Sequence, residues 1–316
     1  MTVTPIYWIG FFVFVVAMLV LDLKVFNKAN TAPTMKHSLI TSGVWIVLAL
    51  LFAFIIFHLG GKDATVDYLT TYTLEMSLSL DNLFVFILVF GFFNIAAKYQ
   101  HRVLFWGVFT AIIMRVLFIL GGSALLSHFQ WLMYVLGAFL LYAGIKMFFN
   151  NQEQQESLDD NKLMRFLNKV LPIKITEQDG APFFVKSNGK TFVTQFMVAL
   201  IFIEISDIIF AFDSIPASLA VTTDTFVVIT SNIFALMGLR SFYAALSLIL
   251  PMFKYIKYGL AAILSFIGLK MIVNEISKAM GSSFEISNAA SLVVIVLCLA
   301  VAIGASLISN RREKQA

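Results

Sequence analysis

Nine runs of apolar residues divide this chain, at about 7–23, 38–59, 68–93, 102–122, 125–149, 191–221, 226–250, 257–278 and 287–309. Each is close to the roughly 20 residues that a helix needs to cross the hydrocarbon core of a bilayer. A chain that repeats this signal so often cannot bury all of it in a water-soluble core. Composition agrees, with 60% of the 316 residues hydrophobic and 13% charged, against about 45–50% and about 25% in soluble domains. In lipid every backbone polar group must be satisfied within the span, which leaves helices as the form for runs of this length. The fold class is therefore an all-α polytopic membrane protein of about nine transmembrane helices, embedded in a lipid bilayer.

The connections set the orientation, because cytoplasmic connections carry an excess of Lys and Arg. Basic residues fall in alternate connections: Lys24, Lys28 and Lys36; Lys98 and Arg102; Lys162, Arg165, Lys169, Lys174, Lys186 and Lys190; Lys254 and Lys257; then Arg311, Arg312 and Lys314. The intervening connections hold Lys62 with Asp63 and Asp67, no full charge over 123–128, Asp224 alone, and Glu285 alone. Nine spans satisfy this alternation with the N-terminus outside and the C-terminus in the cytoplasm. Residues 1–9 have no basic region and no small-residue cleavage pattern follows Leu23, so the first run reads as a retained helix and not a signal peptide.

The organisation is then 1–149 for spans 1–5, 150–190 for a cytoplasmic loop, and 191–316 for spans 6–9 with a short tail. Within the loop, 158–171 patterns as an amphipathic helix ended by Pro172, and 183–193 as a hairpin around Asn188 and Gly189. The loop is too small to house an enzyme site of its own. A net charge of +4 with no basic cluster gives no sign of nucleic-acid binding. Cys298 is the single cysteine, so the chain has neither an internal disulfide nor a CxxC pair.

Two parts of the chain resemble each other. Asp81-Asn82 matches Asp213-Ser214 at an offset of 132, and Glu75 falls on Asp207 at the same offset. Arg115 pairs with Arg240 at 125, and Gly144-Ile145-Lys146-Met147 with Gly268-Leu269-Lys270-Met271 at 124. The unit is three helices, spans 3–5 and spans 6–8. Three is odd, so the second copy enters the membrane from the opposite side. That is an inverted repeat, as in many secondary transporters, whose sites lie near the midplane at the repeat interface.

Five carboxylates, Glu75, Asp81, Glu204, Asp207 and Asp213, lie inside spans 3 and 6, beside Asn82 and Ser214. Each costs about 2.5–3.5 kcal/mol near the midplane even on the lenient insertion scale. Arg115 and Arg240 are read as structural counter-ions, but two arginines cannot neutralise five acids. What remains attracts a cation or protons. Oxygen ligands alone suit a hard divalent ion such as Mn²⁺, Mg²⁺ or Ca²⁺. No histidine lies in these spans, which disfavours zinc or copper. Six residues rotate a straight helix by about 600°, so Glu75 and Asp81 point about 120° apart, as do Asp207 and Asp213. For both members of a pair to face one site, the helix should be broken between them. Pro216 is a candidate breaker in span 6.

The segments Glu75-Met76-Ser77-Leu78-Ser79-Leu80-Asp81-Asn82 and Glu204-Ile205-Ser206-Asp207, running on to Phe212-Asp213-Ser214-Ile215-Pro216, resemble the acidic motifs of the TerC family of bacterial integral membrane proteins. Val221-Thr222-Thr223-Asp224 and Thr230-Ser231-Asn232 extend the resemblance. Within the family the chain is most similar to the alkali-induced Alx type. The resemblance implies Mn²⁺ export across the bacterial inner membrane, with Glu75, Asp81, Asn82, Glu204, Asp207, Asp213 and Ser214 as the metal pathway. The reading is a secondary transporter and not an enzyme, with no permanently bound cofactor and Mn²⁺ as the transported ion. No Gly-x-x-x-x-Gly-Lys-Ser/Thr motif for ATP is present. The alternatives are a membrane-bound redox modulator, and a non-transporting membrane adaptor. Oligomeric state is left open.

Overall fold

The computed structural model describes residues 3–21, 34–127, 131–149, 173–174, 182–187, 189–250, 253, 255–281 and 284–313. Nearly all of them are helical: α1 (Pro5–Leu21), α2 (Met35–Phe92), α3 (Ala97–Ser127), α4 (Trp131–Phe149), α5 (Gln195–Val221), α6 (Thr225–Ile249), α7 (Ile256–Ala279) and α8 (Asn288–Glu313). Among the described residues, α2, α3, α5, α6 and α7 are long and apolar enough to cross a membrane, while α1, α4 and α8 contain shorter apolar helices. The surface is inverted relative to a soluble protein. Phe54, Leu120, Phe149 and Val301 are more than six-tenths exposed, whereas Glu75, Asn82, Arg115 and Asn232 are buried. Charged and amide side chains are inside because the outside is lipid.

Runs 2 and 3 of the sequence are joined in α2, a single element of 58 residues. It leaves helical geometry at Gly61, with φ 73° and ψ −162°. That backbone region is open essentially to glycine alone. Residues 60–67, expected as a connection, are instead helical on both sides of this one residue. The two arms fold against each other: the Tyr68 hydroxyl donates to the Ala49 carbonyl at 3.1 Å, and the Phe52 and Tyr68 rings lie 5.8 Å apart.

The three described strands are β1 (Ile173–Lys174), β2 (Phe184–Ser187) and β3 (Lys190–Thr194), in the order β1-β3-β2. β2 and β3 pair antiparallel, Phe184 with Val193 and Ser187 with Lys190, and Gly189 takes φ 75° in the turn. β1 adds in parallel through Ile173 and Val193. The run expected to begin a span at 191 therefore opens as strand. The β-branched Thr191, Val193 and Thr194 favour it, and α5 starts only at Gln195. The amphipathic segment expected over 158–171 lies outside the described residues. Arg102 sits over the Phe183 ring at 5.7 Å and Tyr99 packs on Phe196 at 5.4 Å, so α3 and α5 start at the same end of the bundle.

One cavity at that end is lined from the end of α2, the start of α3, the end of α6 and the start of α7. At the opposite end, residues 59–67 of α2 face 222–227 between α5 and α6. The second arm of α2 thus runs opposite to α5, α3 opposite to α6, and α4 opposite to α7. These partners also pack on one another. α4 and α7 cross closely because small residues meet there: a Cβ placed on Gly268 would lie 2.5 Å from the Gly137 carbonyl oxygen and from the Leu141 nitrogen.

Candidate functional site

Arg115 of α3 organises the centre of the bundle and is only 2% exposed. Its Nη1 donates to Glu75 Oε2 and to Asn232 Oδ1, both at 2.6 Å, and to Ser214 Oγ at 3.3 Å. Its Nη2 donates to Asp207 Oδ1 at 3.2 Å and its Nε to Asp207 Oδ2 at 3.5 Å. A second tier holds the acids from behind. Ser218 Oγ and Asn232 Nδ2 donate to Glu75 Oε1 at 2.6 and 2.9 Å, and Asn82 Nδ2 donates to Asp207 Oδ1 at 3.3 Å. Four helices, α2, α3, α5 and α6, contribute. A buried charge is tolerable only when paired and hydrogen-bonded, and both acids here are.

The spacing that builds this cluster is seven. Seven residues rotate a helix by about 700°, within about 20° of the starting face, so Glu75 and Asn82 share one face of α2. Asp207 and Ser214 share one face of α5, and Ser218, one turn on, extends it. No break is needed. The interruptions expected from the spacing of six are absent: α2 departs from helix at Gly61, well before Glu75, and α5 runs through Pro216 to Val221. Asp81 occupies the adjacent face of α2. It lines a space of about 20 Å³ with Asn82, Arg115, Ser214 and Lys270, room for a single water-sized occupant.

The seven residues singled out from sequence are therefore not all together. Glu75, Asn82, Asp207 and Ser214 meet at Arg115, and Asp81 adjoins them. Glu204 stands apart against α3, where a Cβ on Gly107 would lie 3.6 Å from its Oε1. The Asp213 backbone is within α5, but its side chain lies outside the described residues. Arg240 is elsewhere, over the Phe105 ring at 5.6 Å and facing the larger cavity. Among the described residues no three Asp, Glu, His or Cys side chains converge as metal ligands. In this conformation Arg115 occupies the carboxylates that a cation would need.

Sequence reading missed Asn232 and Ser218 as site residues, since uncharged polar residues in an apolar span are less conspicuous than acids. The signal that could have found Ser218 was its place one turn, four residues, beyond Ser214 on the face that Asp207 and Ser214 share. It also left out Lys270, 5% exposed, from the charge count, and passed over Glu275, 7% exposed in α7. Ionised, Glu75, Asp81 and Asp207 carry three negative charges against two from Arg115 and Lys270. A deficit of one positive charge remains at the cluster.

Residues 60–314 match the family model described as Integral membrane protein TerC family. The chain belongs to the TerC family. Its acidic motifs are where the helices of this TerC chain meet. It is similar to the Escherichia coli (strain K12) protein named "Putative membrane-bound redox modulator Alx", 41% identical over 323 residues that cover 99% of this chain and 98% of the relative. An uncharacterized membrane protein of Myxococcus xanthus is 42% identical over 98% of this chain and 94% of its own length. One from Rickettsia bellii is 41% identical over 85% of this chain and 88% of its own. No solved structure matches.

Proposed function

We propose that this TerC-family chain is a secondary transporter that exports a divalent cation, Mn²⁺ in the leading case, across the bacterial inner membrane in exchange for protons. The observation that carries the reading is one buried polar cluster built from both acidic motifs, between a cavity at either end of the bundle. The inverted-repeat reading draws support from antiparallel counterparts packed on one another. Orientation follows the positive-inside count, with the N-terminus outside and the C-terminus in the cytoplasm.

In this reading Arg115 is the counter-charge of the empty site. A cation enters beside Asp81, whose pocket already has oxygen donors in Asn82 and Ser214. Glu75 and Asp207 become ligands as they exchange Arg115 for the metal. Protons and Mn²⁺ compete for the same oxygens, so alternating access of one site couples their movements in opposite directions. Hard oxygen donors fit this cargo. The chain has no Gly-x-x-x-x-Gly-Lys-Ser/Thr motif for ATP, which fits transport driven by an ion gradient.

The test is Mn²⁺ flux in proteoliposomes that contain only this protein, with an imposed pH gradient. Wild-type flux should follow the proton gradient, and Asp81→Asn should reduce it at least about tenfold with unchanged elution on gel filtration. Glu285→Gln, on an exposed outer segment, should transport normally. Normal flux through Asp81→Asn would refute the site. No flux at all from wild-type protein would favour the adaptor reading. The name of the Escherichia coli relative raises a redox reading, but Cys298 is the chain's one cysteine, so a dithiol relay within one chain is unavailable. A flavin or haem spectrum in purified protein would favour redox chemistry.

A further inference from the structure

We propose that the cavity where α2, α3, α6 and α7 end or begin together binds a phosphate-type anion, carried by a lipid headgroup or free in solution. The cavity is about 610 Å³, within the usual range of ligand pockets. It is lined by His37, His101, Arg240 and Lys257, and no Asp or Glu is among its lining residues. Arg240 and Lys257 repel a divalent cation and suit an oxyanion, and the two imidazoles can add N–H donors. Arg240 is 6% exposed, its Nη1 makes no hydrogen bond among the described residues, and a guanidinium is well shaped to meet a phosphate oxygen.

Two further details fit. His101 Nε2 is buried with no hydrogen-bond partner among the described residues, which leaves it available to donate to an occupant. The Tyr243 hydroxyl donates to Gln100 Oε1 at 2.9 Å, and Gln100 Nε2 donates to the Ile95 carbonyl at 2.8 Å, so the wall opposite is fixed. The cavity lies at the end of the bundle that carries Lys98 and Arg102, and basic pockets between helices on that kind of face take anionic headgroups. It is separate from the small space beside Asp81, and it stands whether or not the chain transports metal.

The experiment uses full-length protein in nanodiscs of phosphatidylcholine, with thermal unfolding as the readout. One arm adds phosphatidylglycerol to the discs, and the other adds inorganic phosphate against sodium chloride at matched ionic strength. Wild-type Tm should rise in at least one arm. A rise with lipid alone assigns a headgroup, and a rise with phosphate in both disc types assigns a small anion. His101→Gln and Arg240→Gln should each weaken the half-saturating concentration by roughly tenfold, as expected for loss of one charge-assisted hydrogen bond. If Arg240→Gln does not fold, His101→Gln decides. No rise in either arm, or an undiminished rise in His101→Gln, would overturn the proposal.

Discussion

Glu75 accepts three hydrogen bonds through two oxygens, from Arg115, Asn232 and Ser218 on three other helices, and the Arg115 contact is also an ion pair. Removing the arginine leaves two carboxylates buried without their cation. Arg115→Gln should therefore cost on the order of 3–5 kcal/mol, the usual result of breaking a buried pair from one side. Arg115→Gln combined with Glu75→Gln should cost less than the sum of the two single changes by at least about 1 kcal/mol. Denaturant unfolding of the purified protein in mixed micelles measures all three. Strict additivity would mean that the two residues do not interact as the distances indicate. At this scale, the acids and Arg115 were legible because a charge in an apolar run is expensive and so conspicuous. Their grouping was not, because it depends on which faces of four helices turn inward, and periodicity within one span cannot fix that. Lys270 illustrates the loss: its span carried no acidic motif, yet its side chain ends beside Asp81.

Among the elements, the helices coincide with the apolar runs because lipid imposes one solution on a long apolar segment. What sequence could not foresee was local. A spacing of six between acids suggested broken helices, yet α5 keeps its geometry through Pro216, whose ring lies at an exposed position. The hairpin expected over 183–193 is present, so only the start of the following span, counted from 191, was set too early. The Gly268 match to Gly144 had a packing cause invisible in one dimension: both glycines lie on the α4–α7 crossing. Gly268→Val should force this crossing apart, because its Cβ would meet backbone and not a movable side chain. Overpacking of this kind costs about 1–3 kcal/mol or more, so Tm in detergent should fall by several degrees. Gly304→Ala, with nothing within 4 Å of the added carbon, is the control and should not lower Tm. Equal Tm for Gly268→Val and wild type would show that the helices are not in contact there.

For the whole molecule, the charge alternation assigns the β2–β3 hairpin and Asp224, which caps the start of α6, to opposite sides of the membrane. With Cys298 replaced by Ser, a cysteine at position 224 should react with a membrane-impermeant maleimide in intact cells. One at position 190 should react only after permeabilisation. Reversed labelling would invert both the topology and the proposed direction of transport. The class of the protein was fixed by nine apolar runs, but the way its parts are divided was not. The first arm of α2 is sequestered among aromatic side chains of α6: Phe52 packs on Phe226 and Phe234 at 6.2 and 5.1 Å, and Phe11 of α1 joins them. The second arm reaches Arg115 of α3 and Asp207 of α5 through Glu75 and Asn82, and it also packs on α6, with Phe90 5.5 Å from Tyr243. α2 is thus two rods that share α6 as a neighbour and are joined at Gly61. Its backbone leaves helical geometry there, in a region where no other residue is comfortable. Any change of angle between the two arms would load this elbow as torsion at one residue, leaving the rods on either side stiff.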